Sequence, residues 1–333
     1  MDTSSPTHQP PGGVPGEVPG RRIVELACGA PSVHNTQPWR WQVEELTIEL
    51  YADLSRRLEV ADPSGRNLVL SCGAALHHFR VAAAALGYPA EVERMPDPAD
   101  TTHLATLRLT PRPRTPRAVE DLAALGQRST DRRRFTSWPV PEDRLARLAS
   151  SVDLPAVQVV PLVDVASRFR VELLVNRALD LQSADAQYAE EHQQWLDRSH
   201  EDGIPTAAVP DLAGHPRSQP IRFGSGHTTY KPRDLVEHSD GLLVVCTDDD
   251  DRLSWLLAGE ALSQLWLAAT VDGLSVVPLS QVIEMPSTRE SLEREVLGGL
   301  TKPQIVTRIG WQEIGRSELP RTPRRPVDDV LIT

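Results

Sequence analysis

Two apolar segments far apart in the chain limit its fold more than anything else. Residues 73–87 lie over residues 259–273 without a gap, with Gly73/Gly259, Ala75/Ala261, Leu76/Leu262, Ala82/Ala268, Ala83/Ala269 and Gly87/Gly273 identical. A segment that is apolar nearly all round is a helix buried at the centre of a domain. Two Ala/Leu-rich helices resemble each other on composition alone, but the matched glycine ends favour an internal duplication. In each half a strand comes later, Leu104–Leu109 in the first and Gln304–Trp311 in the second.

At 333 residues the chain can form one large domain or two ordinary ones. A formal net charge of −11 argues against nucleic acid as the main partner, because binding phosphates needs a basic face. Lys231 and Lys302 are the only lysines, so an arginine means little here unless its spacing is special. Cys28, Cys72 and Cys246 sit singly in apolar segments and read as buried thiols, not as a disulfide frame or a zinc site. No apolar run is long enough to span a bilayer and the N-terminus lacks an apolar signal core, which leads to the expectation of a cytoplasmic protein without a membrane partner.

Residues 1–20 are rich in Pro, Gly, Ser and Thr and read as a disordered tail. A first half spans 21–110: a helix from Arg21 to Cys28, strands at 39–44 and 46–52, a helix from about Arg66 to Leu86 stopped by Gly87, and strands at 90–95 and 103–109. A Pro/Arg-rich linker, 111–117, leads to a second half, 118–333. That half opens with a helix near 118–125 and continues with a helix at 141–150, a strand at 156–163 and a long helix at about 164–198. Residues 200–234 lack a regular pattern, and so long a stretch inside a compact domain reads as a functional lid. A short buried strand at 242–246 comes next. Asp248–Asp251 could be metal ligands, but they directly precede a helix and read better as its capping residues. His77 and His78 are adjacent on a helix, so their side chains are expected to diverge. No grouping has metal-ligand spacing.

Three stretches carry candidate chemistry. In 30–41, Pro31 and Pro38 bracket Ser32, Asn35, Thr36 and Gln37, and Trp39, Trp41 and Val43 then alternate as in a half-buried strand. A stiff polar loop feeding a strand can hold hydrogen-bonding groups still for a ligand, although a Pro-bracketed surface turn has the same composition. Arg128, Ser129, Thr130 and Arg132 offer guanidinium forks and hydroxyls that suit phosphate oxygens, or else form a solvated basic run. Arg324 and Arg325, near the C-terminus, add two more guanidiniums.

The form A-P-S-x-x-N-T-Q-P-W-R-W at 30–41 resembles the flavin-contacting loop of the nitroreductase superfamily, and in a chain of this length is most similar to the Acg family. Arg128-x-Thr130-x-Arg132 resembles the family's R-x-[ST]-x-[RK] motif, and Arg324-Arg325-Pro326-Val327-Asp328-Asp329-Val330 resembles its closing R-R-P-L-E-E-V-V. The resemblance implies an α+β nitroreductase-like fold of two duplicated halves, with antiparallel-type sheets flanked by helices. The halves would form a pseudo-dimer in one chain, with further homodimerisation open. It implies FMN held by Pro31, Ser32, Val33, Asn35 and Gln37 from the first half. Arg128, Ser129, Thr130, Arg132, Arg324 and Arg325 would come from the second, with Pro278, Leu279 and Ser280 placing a backbone N–H against the flavin. Arg132 would be the cation near flavin N1 and O2. The family's Gly-rich version of the 276–281 segment is absent.

The Arg motif has no counterpart ahead of residue 30, and the second half's counterpart of the Pro-Ser-Asn loop has decayed to 149–156, so one composite FMN site per chain is expected. The implied activity is electron transfer from NADH or NADPH through FMN to a nitro, quinone or other conjugated small-molecule acceptor. No side chain is required as acid or base, because the flavin carries the chemistry. The alternative is an FMN storage protein with a covered flavin; a cofactor-free interaction module would be colourless.

Overall fold

The two apolar segments form the paired central helices of an α+β fold. The computed structural model describes residues 19–205, 240–313, 315 and 321–332. Helix α1 (Gly20–Ala27) leads through the 30–38 loop into the hairpin β1 (Trp39–Glu44) and β2 (Thr47–Ala52), paired from Trp39↔Ala52 to Glu44↔Thr47. Next come α2 (Arg66–Leu86), β3 (Ala90–Arg94) and β4 (His103–Leu109). Gly87 ends α2 in the left-handed region, φ 88°, and its N–H and that of Tyr88 return to the Ala84 and Ala83 carbonyls.

The second half opens with α3 (Pro116–Gln127), started by the Thr115 side chain on the Ala118 N–H, and α4 (Glu142–Ser150). After β5 (Val157–Pro161), the long helix expected over 164–198 is two helices, α5 (Val165–Ala184) and α6 (Ala186–Gln194). They part at Asp185, whose extended backbone (ψ 110°) leaves the helix while its carboxylate caps the Gln187 and Tyr188 N–H groups. Strand β6 (Gly241–Thr247) precedes α7 (Arg252–Val271), which Asp251 caps through the Ser254 N–H. Then follow β7 (Leu274–Leu279), the short α8 (Gln281–Glu284), α9 (Pro286–Glu295), β8 (Lys302–Trp311), α10 (Val327–Val330) and β9 (Leu331–Ile332). The tail and most of the lid expected from the sequence (1–18 and 206–234) fall outside the described residues.

The strands form two sheets, β3-β4-β2-β1-β9 and β5-β6-β8-β7. Traced from its other edge, the second reads β7-β8-β6-β5 and repeats β3-β4-β2-β1 element for element, every one of those pairings being antiparallel. Within the two sheets, among the described residues, the one parallel pairing joins β9 to β1, so this late strand completes the first sheet.

Helices α2 and α7 meet at the matched glycines. A Cβ on Gly73 would fall on the Leu256 carbonyl oxygen, 3.0 Å from the Gly259 Cα; a Cβ on Gly259 would fall on the Leu70 carbonyl oxygen, 2.9 Å from the Gly73 Cα. The contact is reciprocal, as across a two-fold axis. One turn on, His77 and His78 converge on one group instead of diverging, their Nδ1 atoms 2.8 and 3.0 Å from Ser263 Oγ. Burial holds both imidazoles neutral, that of His77 down to about 3. Fully buried Glu260 on α7 accepts from Arg80 on α2 and Arg94 on β3, tying α7 to the first half. Helix α2 is the only described helix long and apolar enough to cross a membrane, and 83% of that stretch is buried inside the protein.

Gly73→Ala is expected to destabilise the protein by at least about 2 kcal/mol, because backbone cannot step aside as a side chain can. Gly126→Ala, on α3 with nothing near its added methyl, should be neutral or stabilising by up to about 1 kcal/mol. Urea unfolding of the two variants beside the parent measures both.

Candidate functional site

The helix crossing leaves a cleft between the two halves. Its walls are Asn67, Leu70, Ser71 and Ala74 of α2 and Leu262 and Trp266 of α7. The end of β7 and the following turn supply Val277, Pro278, Leu279, Ser280 and Gln281, and β8 supplies Ile305 and Arg308. The 30–38 loop of the first half contributes Pro31, Ser32, Val33 and His34, and the Arg motif of the second contributes Thr130 and Arg132. The cleft is thus built from both halves. Counted with its open mouth, the cleft encloses about 1020 Å³.

The loop is pinned from inside. Ser71 Oγ accepts the Val33 N–H at 3.1 Å while donating to the Asn67 carbonyl, and Ser32 Oγ accepts the Gln37 N–H at 2.9 Å. His34, Asn35 and Gln37 all have left-handed backbones, φ 47°, 57° and 49°. Non-glycine residues there carry strain of order 1–3 kcal/mol each.

Of the residues expected to hold the cofactor, Pro31, Ser32, Val33, Thr130, Arg132, Pro278, Leu279 and Ser280 line the cleft. Asn35 and Gln37 do not. Asn35 Nδ2 donates to the Gly203 and Pro323 carbonyls at 2.9 and 3.0 Å, and its Oδ1 accepts from Arg324 at 3.1 Å. Gln37 donates to the Glu201 carbonyl and accepts the Arg325 N–H. Both side chains are turned away by the left-handed residues and clasp segments 201–203 and 323–325 to the back of the loop. Ser129 is exposed and lines nothing.

Arg128 and Arg324 also stand outside the lining. Both donate to the Gly29 carbonyl, at 3.3 and 3.2 Å, and Arg324 also to the Ala30 carbonyl. The Arg128 guanidinium lies 4.8 Å from the centre of the Trp266 ring, itself part of the cleft wall. Among the described residues no carboxylate pairs with either. Burial, then the neighbouring Arg324 charge, lowers Arg128 to about 9, and burial lowers Arg324 to about 10. Arg128 Nε and Nη1 and Arg324 Nε are out of water without a hydrogen-bond partner. Arg325 differs: it lies 3.8 Å from Asp53 and donates to the Gln37 and Asp329 carbonyls.

Arg308 was missed from the sequence. It is 2% exposed, stacks 4.4 Å from the Phe135 ring centre, donates to the Arg133 carbonyl and lies 3.6 Å from Asp240. A lone charge in the middle of the apolar strand 305–309 was the available signal.

Behind the cleft, Glu284 accepts from Asn67, Gln182 and the Tyr188 hydroxyl at 3.0, 2.8 and 2.7 Å. Nearby Asp62 accepts the Leu68 N–H. Burial drives its carboxyl up to about 7, against the pull of its backbone hydrogen bonds. A carboxyl with a raised folded-state pKa costs the native state once the unfolded chain can ionise freely. Its contribution is therefore full below the unfolded value of about 4 and lost as pH rises toward 7. Asp62→Asn is expected to flatten stability over that window, gaining on the order of 1–4 kcal/mol relative to the parent at pH 8; urea midpoints at pH 4 and pH 8 measure it.

No protein-family model matches the chain. It is 39% identical over 316 residues, 93% of this chain and 90% of the relative, to a Mycobacterium tuberculosis H37Rv protein provisionally named NAD(P)H nitroreductase Rv3131. It is 36% identical over 323 residues, 93% of this chain and 94% of the relative, to the protein of the same strain provisionally named NAD(P)H nitroreductase acg. Among solved structures, a nitroreductase with bound FMN from Bacteroides fragilis matches with 14% identity and a TM-score of 0.39, over 61% of this chain and 94% of that one.

Proposed function

We propose that this chain, which belongs to the Acg-type nitroreductase family, is a cytoplasmic FMN-dependent oxidoreductase that takes electrons from NADH or NADPH and passes them to a nitro, quinone or other conjugated small molecule. The observation that carries the reading is the composite cleft. The Pro31–His34 loop and the Thr130/Arg132 pair, distant in sequence and from opposite halves, both line it. The repeated strand order and the reciprocal glycine contact support a duplicated origin for the halves.

The residues present fit FMN. Two guanidiniums without a carboxylate partner among the described residues, with three buried N–H-bearing atoms unpaired, make a positive pole behind Trp266 and Gly29–Ala30 that suits a phosphate. In this reading Arg128 and Arg324 attract the phosphate with their charge from behind the wall and Thr130 offers it a hydroxyl in the cleft, while Pro31, Ser32 and the 278–280 backbone flank the ring. Arg132 offers positive charge to the ring, favouring its electron-rich state. FMN supplies the redox chemistry when bound. Asn35 and Gln37 support the site indirectly by fixing the loop, and Arg325 acts with them. Arg308 sets the charge of the β8 wall.

Reconstitution with FMN tests this. About one FMN per chain is expected; a count near two overturns the composite site. Arg128→Met should weaken FMN binding about 10-fold, the loss of about 1.4 kcal/mol of charge attraction. Asn35→Ala should weaken retention with the phosphate arginines intact. Bleaching of the yellow protein by NADH or NADPH supports the enzyme. A flavin reduced by dithionite but by neither nucleotide supports storage.

A further inference from the structure

Helix α5 is apolar on two faces, and only one of them lies inside the protein. Val171, Leu174, Val175 and Leu179 are buried in the core of the second half. A helix that is apolar all round is normally a buried helix, yet Phe169, Leu173 and Leu181 are 58%, 45% and 38% exposed. Val163 and Val165, just ahead of them, are exposed as well. Single apolar residues scattered on a surface need no explanation; a file of them along one helix does.

That outward face is complementary to itself. Along its middle lie Ala166, Phe169, Arg170, Leu173, Arg177, Asp180, Leu181 and Ala184, all exposed and spaced evenly to either side of residue 175. Two copies of α5 laid antiparallel, with their two-fold axis beside residue 175, set Ala166 against Ala184 and Phe169 against Leu181. The same register sets Arg170 against Asp180 and lays the aliphatic stem of Arg177 over Leu173, each pairing occurring twice. With the axis at residue 177, Arg177 meets its own copy; with the axis at residue 173, Arg170 faces Asn176 and the charge pair is lost. A parallel pair sets Arg170 on Arg170 and Asp180 on Asp180, which like-charge repulsion opposes. Arg170 already lies 3.1 Å from Glu295 of α9, with half of its side chain still exposed to a second carboxylate.

We propose that this face is a two-fold contact between two copies of the chain, α5 of one packed antiparallel on α5 of the other. A second copy fits better than an unrelated protein because the charged and the apolar positions answer one another under a single two-fold operation. A 20-residue helix at 1.5 Å per residue gives a strip about 30 Å long. One helix face of that length covers less than the roughly 800 Å² per partner of a standard stable interface, so the dimer is of the weak, concentration-dependent class. The proposal stands whether or not the cleft binds flavin.

Sedimentation equilibrium of the whole protein tests it over about 1 to 300 µM, the range in which so small an interface half-forms. The parent should pass from monomer toward dimer across that range. Phe169→Glu, at an exposed position that the fold tolerates, should weaken association about 10-fold or more. Arg170→Asp and Asp180→Arg should each weaken it about 10-fold, because each sets like charges together twice. The double variant restores opposite charges in the same register and should return association to within about 3-fold of the parent. Circular dichroism checks that each variant is folded.

A parent that stays monomeric at every concentration overturns the proposal, whatever else then covers the face. A dimer that Phe169→Glu leaves intact overturns it too, because the contact then lies elsewhere. Single charge reversals that weaken the dimer without rescue in the double variant overturn the antiparallel register that pairs Arg170 with Asp180.

Discussion

The close approach of α2 and α7 at Gly73 and Gly259 is the constraint on which the rest of the structure depends. Helix backbones come this near only where neither residue carries a side chain, and each glycine faces the carbonyl three residues before the other. The contact fixes both the separation and the rotation of the two halves. The walls of the cleft follow from it, since Leu70 and Ala74 flank Gly73 on α2 while Leu262 and Trp266 lie within two turns of Gly259 on α7. Glu260, beside the crossing, locks the arrangement through Arg80 and Arg94, because a carboxylate with no access to water cannot exchange its partners cheaply.

Beside this crossing, the 30–38 loop of the first half and Thr130 and Arg132 of the second line the same cleft. The last strand, β9, strengthens the same relation from the opposite end. By pairing with β1 it draws the 321–326 segment under the loop, where Arg324 and Arg325 bind carbonyls of Gly29, Ala30 and Gln37. The loop is therefore gripped on one face by its own chain's terminus and left open to the cleft on the other. Positive charge is concentrated here although the protein as a whole is acidic, which is the arrangement an anionic ligand requires.

The catalytic economy of such a site is divided between a bound redox group and the protein. The protein's share is position and charge. Arg132 and Arg308 supply fixed charge that no accessible pH removes.

The sequence by itself determined the elements and which of them are central. Apolar helices without a polar face can only be buried, Gly87 can only end its helix, and alternation at 39–43 can only make a half-buried strand, all local properties of the chain. The aspartates before α7 declared their capping role in the same way, and the loop and Arg motif announced a site. What only the tertiary structure decided is which side of that loop does the work. Three left-handed residues without a glycine among them turn the side chains of Asn35 and Gln37 away from the cleft to clasp 201–203 and 323–325, and no spacing rule foresees that. The same holds for Asp185, where a long helical pattern breaks, for β9, too short to read until β1 pairs with it, and for Arg308, whose burial needs Asp240 and Phe135 brought to it from elsewhere. Each is settled by distant groups meeting in space, which is the information a local pattern lacks.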